Sequence, residues 1–205
     1  MAKEALKKQM VVSTIGLNET YDYTVNPEIL KKLSSQKSGT KEIAVVKKIE
    51  EKKVEGDKIL ILDNIQDPGN LGTIIRSAVA FNISTIILSD DCVDLYNDKV
   101  IRSSEGMIFN INIVRKKLIE IIPKLKENGY TIYATTVNGK GYFENDSKIA
   151  LVIGNEGNGI KEDILNLCDK NITIKMNKEC ESLNAGVAAS ILMYELGVKK
   201  WSIYM

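Results

Sequence analysis

The stretch Ile174-Lys-Met-Asn-Lys-Glu-Cys-Glu-Ser182-Leu-Asn184-Ala-Gly-Val-Ala-Ala-Ser-Ile-Leu-Met-Tyr-Glu-Leu196 decides the fold of this chain. It begins at the end of a short apolar strand, passes through a polar turn and enters a helix near Ser182 and Asn184. Both side chains can act as N-caps, because they accept hydrogen bonds from the free N–H groups of a first helical turn. Apolar residues then recur at helical spacing with small residues between them, which predicts a helix that packs closely.

The bulk composition is that of an ordinary globular protein. The 205 residues suit one domain, or one domain with a small appendage, and 44% of them are hydrophobic. The formal net charge of +1 provides no overall basic field, so any face that binds nucleic acid must be local. We expect no membrane partner, because no apolar run is long enough to span one and the first residues lack the apolar region of a signal peptide.

The titratable residues restrict the possible chemistry. The chain contains no histidine, which excludes His-based triads and His-ligated metals. Its three cysteines, Cys92, Cys168 and Cys180, are widely spaced and form no Cys-x-x-Cys pair, so neither a zinc site nor a disulfide framework is expected. We therefore predict a protein of the reducing cytoplasm that holds no metal ion.

Strand and helix patterns alternate from Lys58 onward, which predicts an α/β architecture with a mostly parallel sheet. We place the domain boundary after residue 53, with a separate segment at 1–53 and the main domain at 54–205. In the first segment we expect a loop at 34–40 and a strand at 43–46. In the main domain we expect strands at 59–62, 84–88, 111–114, 131–134, 150–153 and 172–174, and helices at 73–81, 97–104, 116–128 and from 182 onward.

Three polar, glycine-bearing loops each follow an apolar strand, at 63–76, at 154–159 and in the opening stretch. Ligands of open α/β sheets bind beyond the carboxyl ends of the strands, so we expect the three loops to form one site. The loop at 154–159 matches neither the dinucleotide nor the P-loop spacing, and the missing dinucleotide fingerprint argues against a nucleotide-dependent oxidoreductase. The pocket suits an adenosine-like ligand beside an anionic partner. Its apolar wall is predicted to contain Ile174, Met176 and Leu183, and its polar wall Asn70, Arg76, Glu156, Ser182 and Asn184.

The three loops resemble the three motifs of the SpoU (TrmH-like) branch of the SPOUT RNA methyltransferases. Asn64-Ile-Gln-Asp-Pro-Gly-Asn70-Leu-Gly72 through Arg76 resembles the first motif, and Ile153-Gly-Asn-Glu156-Gly-Asn-Gly159 resembles the second. Residues 174–195 resemble the third. The resemblance runs from about residue 57 to the carboxyl terminus. Residues 26–48 are similar, more weakly, to the end of the small ribosomal-protein-like domain that binds substrate in many SpoU enzymes.

The resemblance implies methyl transfer from S-adenosylmethionine to a ribose 2′-hydroxyl of RNA, with ribosomal RNA favoured over transfer RNA. It also implies a homodimer and a deep trefoil knot formed by the last strands and the final helix. Carried over by position, the cofactor-binding residues are Gly154, Ile174, Leu183, Met176, Ala134 and Thr135. The catalytic group is Arg76, Asn70, Glu156, Ser182 and Asn184.

Two alternatives remain open at this stage, a transfer-RNA 2′-O-methyltransferase and a non-catalytic RNA-binding or assembly protein on the same fold. Three positions depart from the family pattern. Lys175 replaces the usual Pro, Gly186 replaces Ser or Val, and Asn82 stands where Gly is common. We expect these departures to affect cofactor affinity more than function. The apolar tail at 201–205 is predicted to cap the core or to contact a second copy.

Overall fold

The computed structural model describes residues 2–34, 39–141, 143–177 and 179–198. The chain forms two compact units, Met1–Glu50 and Glu51–Met205. Residues 35–38 of the predicted loop at 34–40 lie outside the described residues, as does the predicted apolar tail at 201–205.

The first unit is a small mixed sheet with short helices. Its sheet has the order β2-β1-β3, in which β1 is parallel to β2 and antiparallel to β3. The Asn26 side chain caps α2 by accepting a hydrogen bond from the Ile29 N–H at 2.9 Å. The strand predicted at 43–46 is confirmed, whereas the other elements were not predicted. The elements are α1 (Ala2–Lys7), β1 (Val11–Gly16), β2 (Tyr23–Thr24), α2 (Pro27–Leu33) and β3 (Glu42–Val46).

The second unit contains a parallel sheet of six strands within the described part of the chain. The strand order is β6-β5-β4-β8-β7-β9, and every pair of neighbours is parallel. The prediction of a mostly parallel α/β sheet is therefore confirmed. The strands are β4 (Lys58–Leu62), β5 (Thr85–Leu88), β6 (Asn112–Arg115), β7 (Thr131–Lys140), β8 (Ile149–Ile153) and β9 (Lys170–Ile172).

Helices cover this sheet and enclose its central strands. All five residues of β8, and the four residues of β4 after Lys58, are buried, as expected for parallel strands with both faces covered. The helical segments are α3 (Pro68–Ala80), α4 (Asp98–Ser103), a 3-10 turn (Met107–Asn110), α5 (Leu118–Glu127), α6 (Glu162–Leu165) and α7 (Ala185–Val198). No helix among the described residues is long and apolar enough to cross a membrane.

Four predicted boundaries were wrong. Helix α7 begins at Ala185 rather than at 182, because Asn184 caps it. Helix α3 begins at Pro68 rather than at 73, because the Asp67 side chain caps it and Pro is well suited to the first helical turn. Strand β7 continues to Lys140, and β9 ends at Ile172, two residues before the predicted end. The chain after Ile172 leaves the sheet and becomes available to line a site.

Close packing between α3 and α4 holds the first glycine loop in place. A Cβ atom at Gly72 would lie 1.8 Å from Ser103 Oγ and 2.8 Å from the Val100 carbonyl oxygen. Ser103 Oγ in turn donates to the Lys99 carbonyl at 2.6 Å, so the contact is made by α4 itself. Glycine at position 72 is therefore required by the approach of the two helices.

The substitution Gly72→Ala is expected to lower the free energy of unfolding by about 1 to 3 kcal/mol, because the added methyl group overpacks this contact. Urea denaturation followed by circular dichroism measures the change. Thr73→Ala, at an exposed neighbouring position of the same helix, is the control and should leave stability nearly unchanged. Equal stability of Gly72→Ala and the wild type would mean that α4 can move away without cost.

Candidate active site

A cavity of about 420 Å³ opens at the carboxyl ends of β7, β8 and β9. Three segments line it, namely the turn at 154–160 after β8, the chain at 172–176 after β9, and the segment that leads into α7 from residue 181. The residues 135–137 of β7 form the remaining wall. The second and third glycine loops therefore converge on one site, as the parallel arrangement of the strands requires.

Most of the predicted cofactor-binding residues lie in this cavity. Its apolar lining comes from Leu183 and Ile174, together with backbone at Gly154. Ala134 does not line it, because this residue lies fully buried in β7 and is aligned with Val152 of β8. The predicted residues that line the cavity are Gly154, Ile174, Leu183, Met176 and Thr135.

The turn after β8 is closed too tightly for a larger residue at its start. A Cβ atom at Gly154 would lie 2.2 Å from the Gly159 carbonyl carbon. Asn155 and Gly159 exchange two backbone hydrogen bonds, each of 2.9 Å. The Asn155 side chain also donates to the Asn64 carbonyl at 2.9 Å, which fastens this turn to the first glycine loop.

A chain of side-chain hydrogen bonds joins all three loops beside the cavity. Asn184 Nδ2 donates to Asn70 Oδ1 at 2.9 Å, and Asn70 Nδ2 donates to Glu156 Oε1. Asn184 Oδ1 accepts from the Val187 N–H at 3.2 Å, so the same residue caps α7, as the sequence predicts. Three of the five predicted catalytic side chains thus form one connected group. A fourth, Ser182, lines the cavity together with Glu156.

Arg76 lies apart from this hydrogen-bonded group. It follows Asn70 by six residues on α3, which turns it by about 120° around the helix axis. Its side chain is exposed and makes no hydrogen bond or ion pair with any residue that the structure describes. The guanidinium is therefore available to a group outside this part of the chain, such as a phosphate.

Asp67 holds the backbone of the first loop where helix α3 begins. Its side chain accepts from the Asn70 N–H at 2.8 Å and pairs with Lys99 Nζ at 3.0 Å. The hydrogen bond from the Asn70 N–H, and then the bond from Lys99, hold the pKa of the Asp67 carboxyl below its usual value. An ionised carboxylate at this helix N-terminus stabilises α3. It also holds the backbone of Asn70, whose side-chain amide lies in the middle of the hydrogen-bonded group.

Asp63, a buried carboxyl at the end of β4, was not predicted from the sequence. Only 1% of its surface is exposed, Oδ2 accepts from the Lys161 N–H at 2.8 Å, and Oδ1 has no partner among the described residues. Burial is the main cause that raises the pKa of Asp63 above its usual value of 3.8. Asp163 and Asp91 act in the same direction, whereas Lys161 opposes them. The one feature of the sequence that could have indicated this site is an acidic residue directly after a buried strand.

The described residues contain no cluster of acidic or cysteine side chains that could hold a metal ion. Cys92 is buried and its thiol donates to the Leu62 carbonyl, while Cys168 is half-buried, and burial raises the pKa of its thiol to about 11. The groups available for chemistry at the cavity are therefore amides, carboxylates and hydroxyls, whereas the Arg76 guanidinium lies outside its lining.

Comparison with known proteins identifies similar sequences and folds. The profile of the SpoU rRNA methylase family matches residues 57–194. The 23S rRNA (guanosine(2553)-2′-O)-methyltransferase RlmP of Bacillus subtilis is 41% identical over 150 residues, which cover 72% of this chain and 60% of that protein. A putative TrmH family tRNA/rRNA methyltransferase of Staphylococcus aureus is 35% identical over 159 residues, which cover 75% and 64% of the two chains.

A solved structure shares the fold over nearly the whole chain. The SpoU methyltransferase AviRb from Streptomyces viridochromogenes, in complex with AdoMet, superposes with a TM-score of 0.86 and 25% identity, covering 98% of this chain and 88% of that one. The chain spans less than two thirds of the length of the two curated relatives it matches.

We expect the substitution Asp63→Asn to change the free energy of unfolding more favourably at neutral pH than at about pH 4. Because the folded state raises the pKa of Asp63, ionisation costs stability, and this cost is fully present above the raised pKa and disappears as the pH falls. The relative gain should be about 1 kcal/mol, the scale of one unsatisfied buried acceptor.

Thermal or urea unfolding across this pH range measures the difference between variant and wild type. Asparagine keeps the acceptor for the Lys161 N–H, whereas Asp63→Ala removes it and should lose stability at every pH. A difference between Asp63→Asn and the wild type that does not change with pH would contradict the assignment.

Proposed function

This chain belongs to the SpoU rRNA methylase family, and from that premise we propose that it transfers a methyl group from S-adenosylmethionine to a ribose 2′-hydroxyl of RNA. The substrate we favour is ribosomal RNA, because the similar RlmP is named as a 23S rRNA 2′-O-methyltransferase. The observation that carries the proposal is the hydrogen-bonded group Asn184–Asn70–Glu156 at the edge of the cavity. A non-catalytic RNA-binding protein has no need to keep this group beside a ligand cavity.

The cavity fits S-adenosylmethionine in size and in lining. Its volume of about 420 Å³ lies in the range of small-molecule sites. The tight turn at Gly154 leaves backbone groups next to the cavity, and Ile174 and Leu183 supply an apolar wall for an adenine ring. We assign cofactor binding to Gly154, Ile174, Leu183, Met176 and Thr135, with Ala134 supporting them from within the sheet. The bound cofactor supplies a methyl group on a positively charged sulfur.

The polar residues align the reacting ribose. Glu156 fixes the orientation of the Asn70 amide, and Asn184 fixes its oxygen, so that Asn70 presents an ordered hydrogen-bonding group to the substrate. We assign the Ser182 hydroxyl, which lines the cavity, to contact the same ribose. Arg76 holds its own proton too tightly to serve as a base, and we assign it to bind the RNA phosphate and a ribose oxygen. With no histidine in the chain, the hydroxyl proton passes to the RNA phosphate or to a neighbouring polar group.

The topology supports the proposal of a trefoil knot. Strand β9 lies at the edge of the sheet beside β7, yet the helix that follows, α7, packs against α3, the helix that follows β4 in the chain. The chain between them therefore returns across the carboxyl edge of the sheet. We propose that this return passes through the loops around the cavity and forms the knot.

The surface of α7 supports the proposal of a homodimer. Val187 and Tyr194 are 47% and 53% exposed and lie seven residues apart, which places them on one face of the helix. The Tyr194 ring packs edge-on against Phe81 of the segment after α3, with 5.7 Å between ring centroids. A second copy would cover this apolar face.

Two further assignments complete the proposal. We propose that the unit Met1–Glu50 contributes to RNA recognition, because it resembles a substrate-binding module and carries 9 lysines against 6 acidic residues. The protein would act in the cytoplasm, where ribosomal RNA is modified.

The proposed activity predicts that S-adenosylmethionine binds the purified protein and that methyl groups are transferred to RNA. Isothermal calorimetry measures the first, and mapping of 2′-O-methyl sites in total RNA with and without the gene measures the second. The variant Arg76→Lys should retain cofactor affinity but lose roughly a hundredfold in turnover, because an ammonium cannot replace a bidentate guanidinium.

Three results would change the assignment. No cofactor binding would favour the non-catalytic alternative, and a modified site in transfer RNA would replace ribosomal RNA as the substrate. Near-full turnover of Arg76→Lys with unchanged RNA affinity would remove the role given to this residue.

The proposed dimer predicts that Tyr194→Glu produces a monomer, because a carboxylate would be buried without a partner in the interface. Size-exclusion chromatography with light scattering measures the mass. Tyr23→Glu, at a tyrosine that is 61% exposed in the first unit, is the matched control and should remain dimeric. A monomeric wild type would refute the dimer.

A further inference from the structure

A second and larger groove lies on the opposite edge of the same sheet. Its volume is about 760 Å³, and it opens beside the amino ends of β4, β7 and β8, whose first residues are Lys58, Thr131 and Ile149. Its wall consists of the strap at 51–57, the helix α5 and the turn at 128–130. The groove is therefore separate from the cavity at the carboxyl edge.

The strap is held firmly against the sheet. The Asn112 side chain accepts from the Lys52 N–H at 3.2 Å and donates to the Lys53 carbonyl at 2.9 Å. Further along, Thr85 Oγ1 donates to the Glu55 carbonyl at 2.9 Å, and the Tyr130 hydroxyl donates to the Gly56 carbonyl. The backbone that carries the two lysines is thus fixed by side chains of β5, of β6 and of the turn before β7.

The rim of the groove is basic and its floor is partly apolar. Five lysines and three acidic residues line it, namely Lys52, Lys53, Lys116, Lys124, Lys148, Glu51, Glu55 and Asp57. Buried Leu125 and Tyr130 form part of the floor.

Two of the lysines are already engaged. Lys116 pairs with Glu51 at 2.7 Å, and Lys148 donates to the Asn128 carbonyl and lies over the Tyr130 ring. Lys52, Lys53 and Lys124 are exposed, and their side chains make no hydrogen bond or ion pair within the described ranges.

These free ammonium groups are suited to phosphates. A lysine binds phosphate as a point charge, and contacts of this kind contribute affinity without reading sequence. The five-residue strands β4 and β8 separate the groove from the carboxyl edge by about 16 Å. A single nucleotide at the cavity does not extend to the groove, whereas the backbone of a folded RNA does.

We propose that this groove binds phosphates of the substrate RNA at a distance from the reacting ribose. The inference rests on the proposed function, since it takes RNA as the substrate. The groove would add affinity for a large, folded RNA and contribute nothing to cofactor binding. It would also supply a local basic face on a chain whose overall net charge is only +1.

The test compares two double variants that remove the same charge. Lys53→Gln with Lys124→Gln removes two free lysines of the groove, and Lys117→Gln with Lys126→Gln removes two lysines that are paired with Glu120 and Asp169. Binding of a fluorescently labelled RNA hairpin of several helical turns is measured at a series of salt concentrations. For the groove variant, the negative slope of log affinity against log salt should become shallower by about 1.5, whereas the control should keep the wild-type slope.

The outcomes distinguish a failure of the groove proposal from a failure of the proposed function. If the wild type does not bind the hairpin, RNA is not the substrate and the proposed function fails. If the wild type binds but both double variants keep its slope, the groove proposal is overturned while the proposed function stands. An equal loss of slope in both variants would also overturn it, because only the total charge would matter.

Two further measurements distinguish an RNA-binding groove from a structural defect and from a small-anion site. Affinity for S-adenosylmethionine should be unchanged in the groove variant, and a fall in it would overturn the proposal in favour of a general structural effect. Inorganic phosphate should not displace the hairpin more effectively than chloride at equal ionic strength. Specific displacement by phosphate would mean that the groove is a site for a small anion instead of an RNA backbone.

Discussion

The parallel pairing of β8 with β4 on one side and with β7 on the other is the constraint on which the site depends. Leu62 is aligned with Ile153, and the Asp63 N–H continues the ladder by donating to the Ile153 carbonyl at 2.9 Å. On the other side Val152 is aligned with Ala134. The loops that leave β4 and β8 therefore start at one level, beside the part of β7 that borders the cavity. A shift of one residue in the register of β4 against β8 would separate Asn70 from Glu156.

The fold of the second unit could be predicted largely because its central strands are uninterrupted apolar runs. Such runs in β4, β5 and β8 indicate strands that are buried on both faces. The boundaries that failed depend on hydrogen bonds that a pattern of apolar residues does not encode. The capping of α3 by Asp67 is one example. Asn82, with a φ of 57°, adopts the left-handed conformation that glycine adopts most readily, which agrees with the glycine that the family resemblance leads us to expect there.

The site could be predicted in its parts but not in its connections. Motif order correctly indicated that Asn70, Glu156 and Asn184 come together, since each follows a strand of the same sheet. It did not indicate that Arg76 lies outside this group, because helical rotation beyond the first turn depends on where α3 begins. Asp63 was missed because a carboxyl after a strand looks like an ordinary loop residue, and its burial depends on the distant Lys161 segment.

Asn184 connects the folding of α7 with the geometry of the site, because the oxygen and the nitrogen of its side-chain amide bind different partners. Its oxygen accepts from the first turn of α7, and its nitrogen donates to Asn70. Serine, threonine or aspartate would cap the helix equally well, but an aspartate cannot donate and a hydroxyl is too short to serve both partners. Most helix starts tolerate the exchange of one capping residue for another, but this position does not. Any lineage that replaced the amide would keep a well-formed helix and lose the orientation of Asn70.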